Sequence, residues 1–291
     1  MKWTPGHRSD DVIDKRGQGG GGGGGAGLLG LLLQIGSRFG IVGIVGALGL
    51  YFGAQFFLGS GPEARLGETE GDPSRRMGPA SADDASAFVG FVLDDVQSTW
   101  RANFSQRGTT YPSAKLVLFT DRTPTGCGSG QAAMGPFYCP LDRRVFIDLG
   151  FFRDLEQRFK APGDFARAYV IAHEVGHHVQ TVLGLDQAKR SAGRDGAGAT
   201  GASVRLELQA DCFAGIWANS AQRRNLLETG DLEEGLAAAS AVGDDRIQKS
   251  AGGAVSPETW THGSAEQRSR WFRRGFEEGR FDACDTSTGQ L

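Results

Sequence analysis

The sequence predicts an α+β fold, a small sheet with several helices, placed behind a single N-terminal membrane-spanning helix. Three observations carry this. Ala114–Thr120 and Arg144–Leu149 are short, apolar and partly β-branched, as strands are. Longer segments repeat apolar residues at helical spacing, among them Phe88, Phe91, Val92, Val96 and Trp100. Between Phe39 and Leu58 stand twenty residues without a charge, enough to cross a bilayer core.

The first 27 residues are polar and charged, then nearly pure glycine from Gly19 to Gly25. Such a stretch offers too little apolar surface to offset its ordering entropy, so residues 1–27 are expected to be a disordered tail that includes His7. Residues 28–58 are the expected membrane anchor. Arg38, Lys15 and Arg16 on its N-terminal side predict a cytoplasmic N-terminus, with the large C-terminal part outside, periplasmic or extracellular. Residues 59–82, rich in Gly, Pro, Ser and charge, read as a linker, and 83–291 as the globular domain. The net charge of −3 over 291 residues provides no basic field, which sets nucleic acid aside as a partner. No oligomeric state is legible.

Within the domain, Asp83 or Asp84 can cap a helix running to about Asn103. Cys127 and Cys139 bracket a loop of turn residues, and an oxidising compartment would staple them together. Asp164 is the expected cap of a helix ended by Gly184. Residues 186–202 read as a solvated connection or a flap over a cleft. Ser203 is the expected cap of a helix to about Arg224, Asp231 of another from Leu232 to about Gln248. Ser264-Ala265-Glu266-Gln267 is a capping box that opens a last helix ending at Gly279.

The helix that begins near Asp164 carries His173-Glu174-Val175-Gly176-His177. Residues four apart share a helix face, so His173 and His177 can offer ring nitrogens to one zinc ion. Glu174 stands one step round, within reach of a water at that ion. His178 points elsewhere by spacing and receives no ligand role. A catalytic zinc takes a third protein ligand, and Glu207 or His262 could supply it. Glu207 is preferred, because Asp211 lies one turn on and can accept the N–H of a liganding imidazole. The expected chemistry is peptide-bond hydrolysis by a zinc-held water, with Glu174 as general base and His262 as a donor to the oxyanion. A zinc-stabilised binding domain without hydrolysis is the alternative.

These residues resemble a known family. His173 to Gln180, Glu207 to Gly215, Cys127-Gly128, Gly135 to Pro140, Thr261 to Arg268 and the N-terminal Arg8 to Gly17 are together similar to the bacterial putative neutral zinc metallopeptidases. The resemblance implies a membrane-tethered, gluzincin-like (zincin-like) fold with one Zn2+ per chain and a protein or peptide substrate. It implies that a second helix supplies Glu207 as third ligand, with Asp211 backing a liganded histidine. Alongside it, Cys212 and Cys284 are expected to form a second disulfide.

Overall fold

A computed structural model describes residues 1–17, 82–187, 196–287 and 291. The chain opens with β1 (Val12–Asp14) and continues through α1 (Ala82–Gln106), β2 (Lys115–Phe119), β3 (Arg122–Thr125), β4 (Gly128–Gln131), β5 (Phe137–Cys139) and β6 (Arg144–Asp148). The helices α2 (Gly150–Gln157), α3 (Asp164–Leu183), α4 (Ala202–Arg223), α5 (Asp231–Ala241), α6 (Asp244–Ser250) and α7 (Ala265–Glu278) follow. Four strands form a mixed sheet in the order β1-β2-β6-β5, parallel except for the β5–β6 pair, while β3 and β4 make a separate hairpin. The two expected strands are its centre, and Leu116, Leu118, Val145 and Ile147 from them are fully buried.

The N-terminal segment departs from its expected disorder. Met1–Arg16 and Ala80–Leu291 form one compact unit. Val12, Ile13 and Asp14 pair in register with Leu116, Val117 and Leu118. Trp3 packs edge-on against Phe88 at 5.4 Å, and His7 Nε2 lies 2.8 Å from Asp94. The composition of 1–27 is dominated by its glycines, and the few apolar residues ahead of them suffice once a strand edge is present to receive them.

The membrane part of the expectation is corrected. Among the described residues, no helix is long and apolar enough to cross a membrane. The expected anchor 28–58 and nearly all of the linker 59–82 lie outside the described residues. Topology supplies the physical reason against one crossing with a cytoplasmic N-terminus and an external domain. A single pass between residues 17 and 80 would place β1 and β2 on opposite sides of the bilayer, yet they share a hydrogen-bonded ladder.

Helix ends follow the expected chemistry in part. Gly184 and Gly279 close α3 and α7 in the left-handed conformation, and both halves of the Ser264–Gln267 capping box are made. Asp164 and Ser203 are not caps: Gly163 and Gly201 stand at those positions. The expected helix from Leu232 to Gln248 is two helices, broken after Ala241. At the break a Cβ on Gly243 would lie 2.3 Å from the Ala265 backbone nitrogen, so the chain there passes directly against the start of α7.

Three helices build the floor of the site. A Cβ on Gly176 would stand 3.1 Å from the Ala210 backbone, so α3 and α4 meet almost backbone to backbone there. That close approach, directly before His177, is what lets α4 bring a carboxylate to the two motif histidines. Both expected disulfides are formed, Cys127–Cys139 across the hairpin loop and Cys212–Cys284 between α4 and the C-terminal segment.

Candidate metal centre

His173 and His177 come from α3 and Glu207 from α4, and their ligand atoms lie within 4.8 Å of one another. His173 Nε2 is 3.2 Å from Glu207 Oε2, and His177 Nε2 is 3.5 Å from Glu207 Oε1. The opposite ring nitrogens are committed elsewhere. His173 Nδ1 donates to Asp211 at 2.8 Å, and His177 Nδ1 donates to the Gln180 side-chain oxygen at 2.9 Å. Gln180 is in turn fixed by donating to the Leu206 carbonyl at 2.7 Å and to the Gln209 side chain at 3.1 Å. Holding Nδ1–H in this way turns each Nε2 toward the shared point, where it donates to Glu207 and where a metal would take the place of its proton, the orientation that metal-binding histidines use.

Asp211 is fully buried and saturated with donors. Arg268 on α7 donates to it through Nε at 2.8 Å and Nη2 at 2.9 Å, and the Tyr169 hydroxyl donates to it as well. Arg268 reaches this place because α4 and α7 pack closely, with a Cβ on Gly275 placed 1.9 Å from the Cys212 carbonyl. Burial alone would raise the Asp211 pKa, but the charges of Arg268 and His173 and their hydrogen bonds lower it. Burial raises Glu207 likewise, and the charge of His177 with hydrogen bonds from both histidines holds it well below the usual carboxylate range. For His173 burial works downward, and the Asp211 charge, with hydrogen bonds to Asp211 and Glu207, carries it up to about 9. Four buried titratable groups thus balance one another, which residues merely filling a core do not need to do.

Glu174 lines the same cavity, is nearly buried, and takes no hydrogen bond from any described residue. His262 also lines it. Its Nδ1 lies 3.2 Å from Asp244, whose other oxygen accepts the backbone N–H groups of Thr261, His262 and Gly263 at 2.8, 2.7 and 3.1 Å. The hydrogen bond to Asp244 and the charge of Glu207 raise the His262 pKa. His178 faces away from the cluster. Its Nε2 donates to the Pro112 carbonyl at 2.7 Å, which leaves Nδ1 to accept from Tyr138 at 3.1 Å.

The structure gathers His173, Glu174, His177, Glu207, Asp211 and His262 around one cavity, together with four residues to which the sequence analysis gave no role there. Gln180 sits three residues after His177, a spacing at which helix side chains meet, so its role was within reach. Tyr169 precedes His173 by four, the same signal. Arg268 and Asp244 carry no local signal, since each acts across a long stretch of chain.

The donor set fits zinc: two imidazoles and one carboxylate, with hydrogen bonds already orienting both imidazoles. Comparison with known proteins points the same way. The family described as "Putative neutral zinc metallopeptidase" matches residues 1–287. The uncharacterized protein YpfJ of Escherichia coli K12 is 43 % identical over 288 residues, 98 % of each chain. The uncharacterized protein Rv2575 of Mycobacterium tuberculosis H37Rv is 43 % identical over 219 residues, covering 70 % of this chain and 72 % of its own. No solved structure matches. With the family matched over nearly its whole length, the chain belongs to the putative neutral zinc metallopeptidases.

Proposed function

We propose that the protein is a zinc-dependent endopeptidase in which His173, His177 and Glu207 hold one Zn2+ and Glu174 is the general base. One observation carries this reading. Both imidazoles have Nδ1 locked by an acceptor, so both Nε2 atoms and a Glu207 oxygen converge, while the Glu174 carboxylate beside them has no hydrogen-bond partner among the described residues. A carboxylate left free next to a preoriented ligand set is placed to take a proton from water and pass it on to a leaving amine. Zinc bound there would polarise the scissile carbonyl and lower the pKa of water at the site.

The protein's own groups do the rest. Asp211, pinned by Arg268 and Tyr169, keeps His173 in one tautomer and one orientation. Gln180 does the same for His177. His262, held at Nδ1 by Asp244 and the Thr261 hydroxyl, lines the cavity, where it would serve as a donor for developing negative charge on the substrate oxygen.

The test is the zinc content of the purified protein and its cleavage of a mixed peptide library, beside the Glu174→Gln variant. Near-stoichiometric zinc is expected in both. Removing the base should lower the cleavage rate by about 100- to 10,000-fold. Stoichiometric zinc with no cleavage by the unaltered protein would leave a zinc-stabilised binding domain instead. Equal cleavage by both would remove Glu174 from the chemistry.

A further inference from the structure

The cavity that holds the metal triad has a volume of about 690 Å³, within the range that encloses a ligand the size of a short peptide. Its two sides differ. One is the polar floor already described. The other is built from Met134, Phe137, Phe151, Phe159 and Val170. Phe151 and Phe159 lie 6.2 Å apart, centroid to centroid, and Phe137 stacks on Phe146 at 5.0 Å. Gly135 sits against the Phe151 ring, which joins the segment before β5 to α2. Val170 stands three residues before His173 on α3, so the apolar wall runs onto the helix face that carries the ligands.

The wall is held in place. Cys139, at its end, is bonded to Cys127, and Tyr138 donates to His178 on α3. Met134 at the mouth is 65 % exposed, and Phe137, Phe151 and Phe159 are all partly exposed. Aromatic side chains left partly open beside a polar centre mark a place where apolar surface is to be covered. The permanent cation lining the cavity among the described residues is Arg268, and its guanidinium is engaged by Asp211 and Tyr169. Asp186, at the edge, accepts from Thr181. None of the five wall residues carries a charge, so a charged substrate terminus finds no counter-ion among them, whereas an uncharged internal stretch loses nothing by lying against them.

We propose that this wall is a subsite for one large aromatic or branched aliphatic side chain of an internal peptide segment, next to the bond to be cut. The inference rests on the peptidase reading for what lies beside the wall, but its own content is the side chain that the wall selects.

The experiment uses zinc-loaded protein and three dipeptide hydroxamates that differ in one side chain: methyl, isobutyl and benzyl. Calorimetry should give affinities rising about 10- to 200-fold from methyl to benzyl. Phe151→Ala should flatten that series. Met134→Arg, at a position 65 % exposed, should weaken the benzyl compound and strengthen a fourth hydroxamate bearing a carboxymethyl side chain. In the same protein, the termini of cleaved peptides should show bulky apolar residues at one fixed position beside the cut.

A flat series, or no binding of any hydroxamate while zinc is bound, overturns the subsite. The two readings fail separately. A steep series without cleavage of any peptide would sink the peptidase and leave the subsite standing. Cleavage with a flat series would do the reverse.

Discussion

One device is used twice in this cavity. Asp211 takes the Nδ1 of His173 at 2.8 Å, and Asp244 takes the Nδ1 of His262 at 3.2 Å. Their surroundings are opposite. Asp211 is fully buried and faces a permanent cation, Arg268, with the phenol of Tyr169 beside it. Asp244 stands at the rim and is held by three backbone N–H groups of the loop it orients. His173 is nearly enclosed, while the side chain of His262 is 50 % exposed. The buried pair suits a group that must stay in one state and place. The rim pair suits one that must meet whatever enters. His177 falls between, oriented by the neutral amide of Gln180.

The comparison breaks most readily at the floor. Arg268→Met leaves Asp211 charged, buried and without its cation, so the metal-free protein should lose about 3–5 kcal/mol of unfolding free energy in urea. A loss below about 1 kcal/mol would mean that Tyr169 and His173 carry Asp211 by themselves.

Gly176 tests how the floor is brought to the ligands. Its Cβ position abuts the Ala210 backbone, which cannot rotate away. Gly176→Ala should therefore push α3 and α4 apart, at a cost of about 1–3 kcal/mol, and weaken zinc binding because Glu207 recedes. Unchanged zinc affinity, measured by competition with a chelator, would show that the approach matters for packing alone.

The two imidazole anchors can be weighed against each other. Asp211→Asn should lower zinc affinity by about 10- to 100-fold, whereas Gln180→Ala should fall near the lower end of that range. Equal losses would erase the difference between charged and neutral anchors.

The smallest expected effect is at the rim, and it depends on pH. Burial alone would raise the Asp244 pKa, but hydrogen bonds from His262 and Thr261 lower it below its ordinary value of 3.8. A depressed carboxylate stabilises the fold above its unfolded pKa, and that stability is lost as pH falls through the folded value. Asp244→Asn should thus cost about 1 kcal/mol near neutral pH, consistent with hydrogen bonds to a charged acceptor. The gap from the unaltered protein should close as pH drops below 3.8. A gap of constant size down to pH 3 would point to a packing defect in place of a lost charge.

What the sequence determined by itself was what short spacing can encode. The four-residue interval puts His173 and His177 on one face, and the same interval pairs Glu207 with Asp211. The box at Ser264–Gln267 and the glycines ending α3 and α7 are equally local, as are the buried runs of β2 and β6. Each depends on backbone geometry within a few residues, which composition and order fix directly.

Only the tertiary structure decided which distant pieces meet. The composition of the first 27 residues favoured disorder and the apolar run after them favoured a single crossing, but β1 lies in the sheet beside β2. A strand of three residues has no stability of its own and exists where an edge receives it. The same holds for Arg268 on Asp211 and for Asp244 under the His262 loop: each is a polar side chain whose partner is set by how helices pack. Glycine gives that packing its closeness, since at Gly176 and Gly275 the missing side chain lets two backbones touch. Periodicity reports which face a residue occupies, and the structure alone reports what that face is pressed against.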